Sequence, residues 1–154
     1  MAKVSASSIE ASELDPTACF SYRLRRAARL AAKHYDTALK PVGLRNTQFT
    51  LLGALDLLGE TSIGDLADEL ATDATTLNRN LEVLVRQGLI ENTLADDARV
   101  RKVRLTAAGT RKYAQALPHW QQAQRHLLGT LDAKQWTAMQ QQLGAIESAC
   151  KDDF

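Results

Sequence analysis

Side chains with strong hydrogen-bonding groups share one face of a helix predicted over about residues 73–87. Leu77, Leu81 and Leu84 recur at helical spacing and face inward, so the positions between them face outward. Arginine can bind guanine, and asparagine adenine, through two hydrogen bonds each, while threonine offers a methyl or a hydroxyl group. The predicted base-reading residues are Thr75, Thr76, Asn78, Arg79 and Asn80.

Such a face on a single helix is usually a solvated surface, so the neighbouring elements decide whether it is interpreted as a DNA-reading face. Residues 63–70 have apolar positions at i, i+3, i+4 and i+7, after Ser62 as the N-cap and with Asp65 where a capping-box acid would stand. Asp73 caps the next helix and Gly88 ends it. Two short helices joined by a tight turn predict a helix-turn-helix, whose second helix enters the major groove.

A charged β-hairpin is predicted directly after this unit. Residues 89–94 and 100–105 each alternate or nearly alternate apolar with polar side chains around a turn-like segment, and the tip is expected to form a wing at about 94–102. Arg99 is expected to enter a narrow minor groove, with Asp97 holding its direction. Arg101 and Lys102 are expected to pair with DNA phosphates.

Helices are predicted on both sides of this central unit. Asp15-Pro16 can open a long first helix that ends near Lys40, and Asn46 or Thr47 can cap a second helix. Thr106 and Asp132 can cap two final helices, the first with a possible bend at Pro118. The expected division is a flexible arm at 1–15, a helical lobe at 16–45 and 107–154, and a winged helix-turn-helix lobe at 46–106.

Composition excludes several other classes of protein. The 154 residues carry a net charge of +1, with no apolar run long enough for a membrane span and no secretory signal, so a cytoplasmic protein is expected. Its two cysteines and three histidines are scattered, which predicts neither a metal site nor a cofactor. Catalytic triads, phosphate-binding glycine loops and paired carboxylates are not recognised, so an enzyme is not expected.

The stretch Asp97 to Gly109 fits the pattern D-x-R-x5-L-T-x-x-G and resembles the wing of the MarR (multiple antibiotic resistance regulator) family of winged-helix repressors. Residues 43–52 resemble the second helix of that family, and residues 85–90 its approach to the hairpin. Asn78-Arg79 stands where many members have Thr-Arg. The resemblance covers nearly the whole chain from about Ala18 onwards.

This resemblance implies a mainly α fold with a small β-hairpin wing, in which the first, fifth and sixth helices intertwine as a homodimer. The dimer is expected to repress transcription from a pseudo-palindromic operator in double-stranded DNA. The terminal helices carry more apolar residues than one winged unit could cover, which also favours pairing of two copies. A small aromatic or phenolic effector is implied, with suitable pocket residues at Arg23, His34, Tyr35, Gln48 and Trp120.

Two alternatives stay open. Cys19-Phe20 resembles the Cys-Phe pair of the organic-peroxide-sensing branch of the family, and Cys150 could approach Cys19 across a dimer, so a thiol-based redox regulator is one alternative. The other is a winged-helix module that binds protein instead of DNA. Such a module would not need Asn78, Arg79 or a basic wing.

Overall fold

The computed structural model describes residues 15–16, 19–94 and 101–151 of the chain. These residues form six α-helices and a small three-stranded antiparallel sheet, and a 3-10 turn at Lys40–Val42 follows the first helix. The elements are α1 Phe20–Leu39, α2 Asn46–Leu58, β1 Thr61–Ser62, α3 Ile63–Glu69, α4 Ala74–Arg86, β2 Ile90–Leu94, β3 Arg101–Leu105, α5 Ala107–Leu128 and α6 Ala133–Lys151.

The helix-turn-helix is built as its capping residues predict. The Ser62 hydroxyl accepts from the Asp65 amide at 3.0 Å and donates to the Asp65 carboxylate at 2.7 Å, which starts α3. The Asp73 carboxylate accepts from the Thr76 amide at 2.8 Å and starts α4. Both predicted N-caps are confirmed. Between the helices Ala71 has a left-handed φ of 46°, which lets the chain turn sharply.

The sheet contains a strand that the sequence did not indicate. β3 lies between β2 and β1, with Ile90 opposite Leu105 and Thr61 opposite Val103. β1 is two residues long, which is too short to show alternation in the sequence. It ties the start of the helix-turn-helix to the hairpin.

Two predicted helix starts are wrong. The first helix begins at Phe20 and not at Pro16, because Cys19 occupies the N-cap with a non-helical ψ of 116°. The second helix is not capped by Asn46 or Thr47, since Arg45 is its N-cap.

Two side chains satisfy the amide groups at the start of α2. The Gln48 side chain accepts from the Arg45 amide at 2.8 Å, and the Asp36 carboxylate accepts from the Asn46 amide at 2.6 Å. Asp36 reaches this position from α1, so the cap joins two helices.

One hydrophobic core joins the helices to the sheet. Leu39 from α1 and Leu52 and Leu55 from α2 are fully buried, whereas Leu58 at the end of α2 is 41% exposed. Leu66, Leu77, Leu84, Ile90 and Val103 complete the set of fully buried large side chains. The same core holds the inner face of α4 and the buried side of the hairpin. Between Ala107 and Leu128, α5 runs as one helix through Pro118.

Thr106 connects the end of α4, the sheet and α5. Its amide donates to the Leu89 carbonyl at 3.1 Å, and its hydroxyl donates to the Gly88 carbonyl at 2.7 Å. The same hydroxyl accepts from the Gly109 amide at 3.0 Å, which confirms Thr106 as the N-cap of α5. A Cβ atom on Gly109 would lie 2.0 Å from the Leu89 carbonyl oxygen, so the two backbones are in direct contact.

The described helices include none that is long and apolar enough to cross a membrane.

Replacing Gly109 by Ala is expected to destabilise the fold by about 2–3 kcal/mol, because the added methyl would overlap backbone atoms that no side-chain movement can clear. Gly144→Ala is the matched control. It adds the same methyl in a helix where no atom lies within 4 Å, and it should stabilise α6 by about 0.5–1 kcal/mol. Urea unfolding of both variants would measure the difference, and equal effects would contradict the close packing at Gly109.

Candidate nucleic-acid interface

The outward face of α4 presents the side chains predicted to read bases. Thr75, Thr76 and Arg79 are exposed or partly exposed in the first turns of the helix, whereas Asn78 is half-buried. The Asn80 amide nitrogen donates to the Thr76 carbonyl at 3.1 Å, so this side chain lies along the helix. On the opposite face, the buried Leu77, Leu81 and Leu84 fix the rotation of α4. The fold therefore sets which side of this helix meets solvent.

The N-terminus of α4 is held by an ionised carboxylate. Hydrogen bonds from the hydroxyl and the backbone amide of Thr76 hold the pKa of Asp73 below its ordinary value. An acidic N-cap also interacts favourably with the positive end of the helix dipole. Thr76 therefore both stabilises the cap and lies on the exposed face.

The cations of the hairpin differ in their partners. Arg101 is exposed, and its guanidinium donates to the Asn92 side chain at 2.9 Å. Lys102 forms a long ion pair of 3.8 Å with Glu60. Arg104 binds Glu91 at 2.7 Å, and this hydrogen bond raises the pKa of Arg104. Asp97 and Arg99, the predicted tip of the wing, lie outside the described residues.

A cleft of about 240 Å³ separates the flank of α4 from the hairpin. Its lining includes Glu82 and Arg86 on the helix and Asn92 and Arg101 on the strands. The side of the recognition helix and the base of the wing are thus neighbours. Arg86 and Asn92 were not among the predicted site residues, although Arg86 is exposed seven positions after Arg79 and so lies on the same face of α4.

A second group of polar residues adjoins the recognition face and was missed. A cleft of about 210 Å³ lies between the start of α2 and the start of α4. Asn46, Thr47, Thr50 and Thr72 line it beside Thr76 and Asn80. The sequence indicated only a helix-capping role for Asn46 and Thr47. Their position shows that α2 contributes hydroxyl and amide groups to the edge of the α4 surface.

Two of the predicted effector-pocket residues pack together in the core between α1 and α5. The Tyr35 and Trp120 rings are stacked with their centroids 6.4 Å apart, and Phe49 stacks on Trp120 at 5.7 Å. The Tyr35 hydroxyl donates to Gln124, and burial raises the pKa of Tyr35. The Tyr35 and Trp120 rings are thus packing partners within the chain.

The other three pocket candidates lie apart from this pair or have partners of their own. Arg23 stands twelve positions before Tyr35 on α1, which is about 18 Å along a helix. Gln48 binds the Arg45 amide, and His34 approaches the Ala123 carbonyl at 3.1 Å. The structure does not bring the five side chains together around one cavity.

The two cysteines are both exposed, Cys19 at the start of α1 and Cys150 near the end of α6. Their role in redox sensing stays a prediction. Within the described part of the chain, no group of three or more His, Cys, Asp or Glu side chains is arranged to hold a metal ion.

Comparison with known proteins points to one family. A family model described as the MarR family matches residues 42–99, which run from the start of the α2 region into the wing. The transcriptional regulator MosR of M. tuberculosis, solved in complex with DNA, is 37% identical. That match covers 86% of this chain and 98% of MosR with a TM-score of 0.75.

Two further proteins agree with this assignment. An uncharacterised HTH-type transcriptional regulator of Bacillus subtilis, YwoH, is 28% identical over 92 residues, which are 60% of this chain and 67% of that protein. A cysteine-to-serine mutant of MarR from E. coli, complexed with operator DNA, has a TM-score of 0.77. It is 21% identical and covers 82% of this chain and 91% of its own, so it supports the fold.

Asp73→Asn tests the electrostatic part of the α4 cap. Because the folded-state pKa of Asp73 is lowered, its ionised form stabilises the protein fully above the ordinary aspartate pKa of about 3.9, and this stabilisation is lost as pH falls through the lowered value. Asparagine caps without titrating. Urea unfolding should show wild type more stable than the variant above about pH 5, and the difference in their free energies of unfolding should decrease below about pH 4. A difference that stays constant from about pH 6 to about pH 3 would contradict this assignment.

Proposed function

The chain belongs to the MarR family of DNA-binding transcriptional regulators, and we propose that α4 reads the major groove of double-stranded DNA while the β2–β3 hairpin contacts the adjacent minor groove and backbone. Members of this family are transcriptional regulators and not enzymes. The observation that carries the proposal is the outward row of Thr75, Thr76 and Arg79 on a helix whose other face is fixed in the core.

Each side chain has a proposed part in the interface. Arg79 and Asn78 bind base edges, since each can make two hydrogen bonds to a purine. Thr75 and Thr76 contact bases or phosphates near the start of α4, and Asn80 braces Thr76 through its carbonyl. Arg101 and Lys102 pair with phosphates beside the wing. Arg99, directed by Asp97, enters the minor groove in this proposal; both lie outside the described residues.

The DNA-binding form is proposed to be a homodimer held by α1, α5 and α6. Between its start and Leu30, α1 leaves large apolar side chains in solvent, with Phe20 59%, Tyr22 56% and Leu30 54% exposed. Met139 on α6 is 37% exposed, and Trp136, Leu143 and Ile146 on the same helix are partly covered. A two-fold partner would bury these surfaces and place two α4 helices about one turn of DNA apart.

Repression follows from this arrangement, because a dimer bound across an operator would occupy DNA needed by the transcription machinery. The proposed place of action is the cytoplasm. Release of DNA by a small aromatic or phenolic ligand stays a prediction, and its site would have to open between rings that now pack on one another. A winged-helix module that binds protein is the competing interpretation, and it predicts no sequence-selective binding to DNA.

Arg79→Ala should weaken binding to a duplex selected from random sequences by about 5- to 150-fold, or about 1–3 kcal/mol, and relax selectivity at one base pair per half-site. Arg101→Ala should weaken binding to all sequences alike and reduce the salt slope by about one for each phosphate that Arg101 pairs with. Arg125→Ala, an exposed arginine near the end of α5, is the control. Fluorescence anisotropy at several salt concentrations separates these effects. Equal behaviour of all three variants would contradict the proposed interface.

Leu30→Asp should convert the dimer into monomers, because a carboxylate would be placed in a buried apolar interface. Leu57→Asp is the matched control, because Leu57 is 80% exposed on α2, outside the proposed dimer helices. This substitution should leave the molar mass of the dimer in solution unchanged. Light scattering after size exclusion measures both. A monomeric wild type, or a Leu30→Asp variant that stays dimeric, would contradict the proposed pairing.

A further inference from the structure

A basic cleft lies where the end of α4 meets α5. Its volume is about 330 Å³, within the range of small-molecule sites, and it is lined by Gly43, Gln87, Leu89, Ala108, Arg111, Lys112 and Gln115. This cleft, with these seven lining residues, is called the α4–α5 cleft. Gln87 follows the last residue of α4, and Arg111, Lys112 and Gln115 project from the first turns of α5.

The polar side chains of the α4–α5 cleft have no ion-pair or hydrogen-bond partners among the described residues. Across the described residues, neither Arg111 nor Lys112 forms an ion pair, and neither Gln87 nor Gln115 forms a side-chain hydrogen bond. Lys112 is nevertheless half-buried. Among the residues that the structure describes, no carboxylate and no aromatic ring lines the cleft. Two cations and two amides around one space suit an anion with several acceptor oxygens, because each group can donate to it.

The position of the cleft separates it from the DNA-binding surface. Gln87 is eleven positions beyond Thr76, which is about 16 Å along α4 towards the end away from the recognition face. The cleft also adjoins the base of the hairpin at Leu89, directly before β2 and away from the wing tip. The cleft therefore lies apart from the first turns of α4 that are proposed to contact DNA, which favours a free molecule as its ligand.

The cleft also adjoins the close approach of the Leu89 and Gly109 backbones. The Leu89 carbonyl faces Gly109, and the Thr106 hydroxyl links α5 to Gly88. A ligand held by Arg111 and Lys112 on one side and Gln87 on the other would fix the angle between α5 and α4. Because α5 belongs to the proposed dimer lobe and α4 to the reading surface, that angle sets the distance between two α4 helices.

We propose that the α4–α5 cleft binds a small, non-aromatic polyanion with phosphate or carboxylate groups, and that its occupancy changes the affinity for the operator. Binding of the polyanion is inferred from the residues of the cleft alone, whereas its effect on operator affinity rests on the proposed function. Ligand and DNA must then influence each other equally in free energy.

Inorganic pyrophosphate is the probe for binding, titrated into the full chain by calorimetry at constant ionic strength. Wild type is expected to bind, and Arg111→Gln combined with Lys112→Gln should weaken binding at least tenfold. The control combines Arg125→Gln with Lys134→Gln, which removes the same charge outside the cleft and should leave the affinity unchanged. No binding by wild type, or equal weakening by both pairs, would overturn the proposed site. Thermal unfolding confirms that each variant is folded.

Operator binding with and without pyrophosphate tests the coupling. Wild-type affinity should change at least fivefold and the Arg111/Lys112 variant less than twofold. If pyrophosphate binds but operator affinity stays the same, the coupling is overturned. If the salt slope of the variant without pyrophosphate falls by about two, the cleft binds DNA phosphates and the inference fails. Absence of operator binding by wild type would instead count against the proposed function, with the calorimetric result unaffected.

Discussion

Thr106 and Gly109 determine how the two parts of this chain are held together. The Thr106 side chain bonds to the end of the recognition helix and caps α5, while its amide bonds to the Leu89 carbonyl at the start of the hairpin. Gly109 allows α5 to lie directly against that same carbonyl. The end of α4, the start of the hairpin and the start of α5 therefore meet at one compact junction.

That junction explains why the reading surface can be rigid although it is built from short elements. An isolated helix of 13 residues is marginal in water, so α4 depends on its buried leucines and on the Asp73 cap. β1 holds the far side of β3 and anchors the beginning of α3. Exposed threonine and arginine side chains are consequently presented from a fixed backbone, which reduces the entropy that is lost on binding DNA.

Features encoded by neighbouring residues were predictable from the sequence. Ser62, Asp73 and Thr106 each cap a helix because a short polar side chain bonds an amide three residues later. Features made by distant residues were not. The Asp36 carboxylate caps α2 from ten residues away, and Ser62 of β1 pairs with Lys102. The five side chains suggested for an effector pocket likewise do not line one cavity. The sequence could not show this, because the type of a side chain does not reveal which helix a ring packs against.

Two winged units of one dimer are proposed to read DNA at the same time, and hydroxyl-radical footprinting on a duplex selected from random sequences tests this directly. The expected result is two protected half-sites related by two-fold symmetry, with centres about 10 base pairs apart and on one face of the duplex. A single protected site without symmetry, or protection that does not depend on sequence, would contradict the claim.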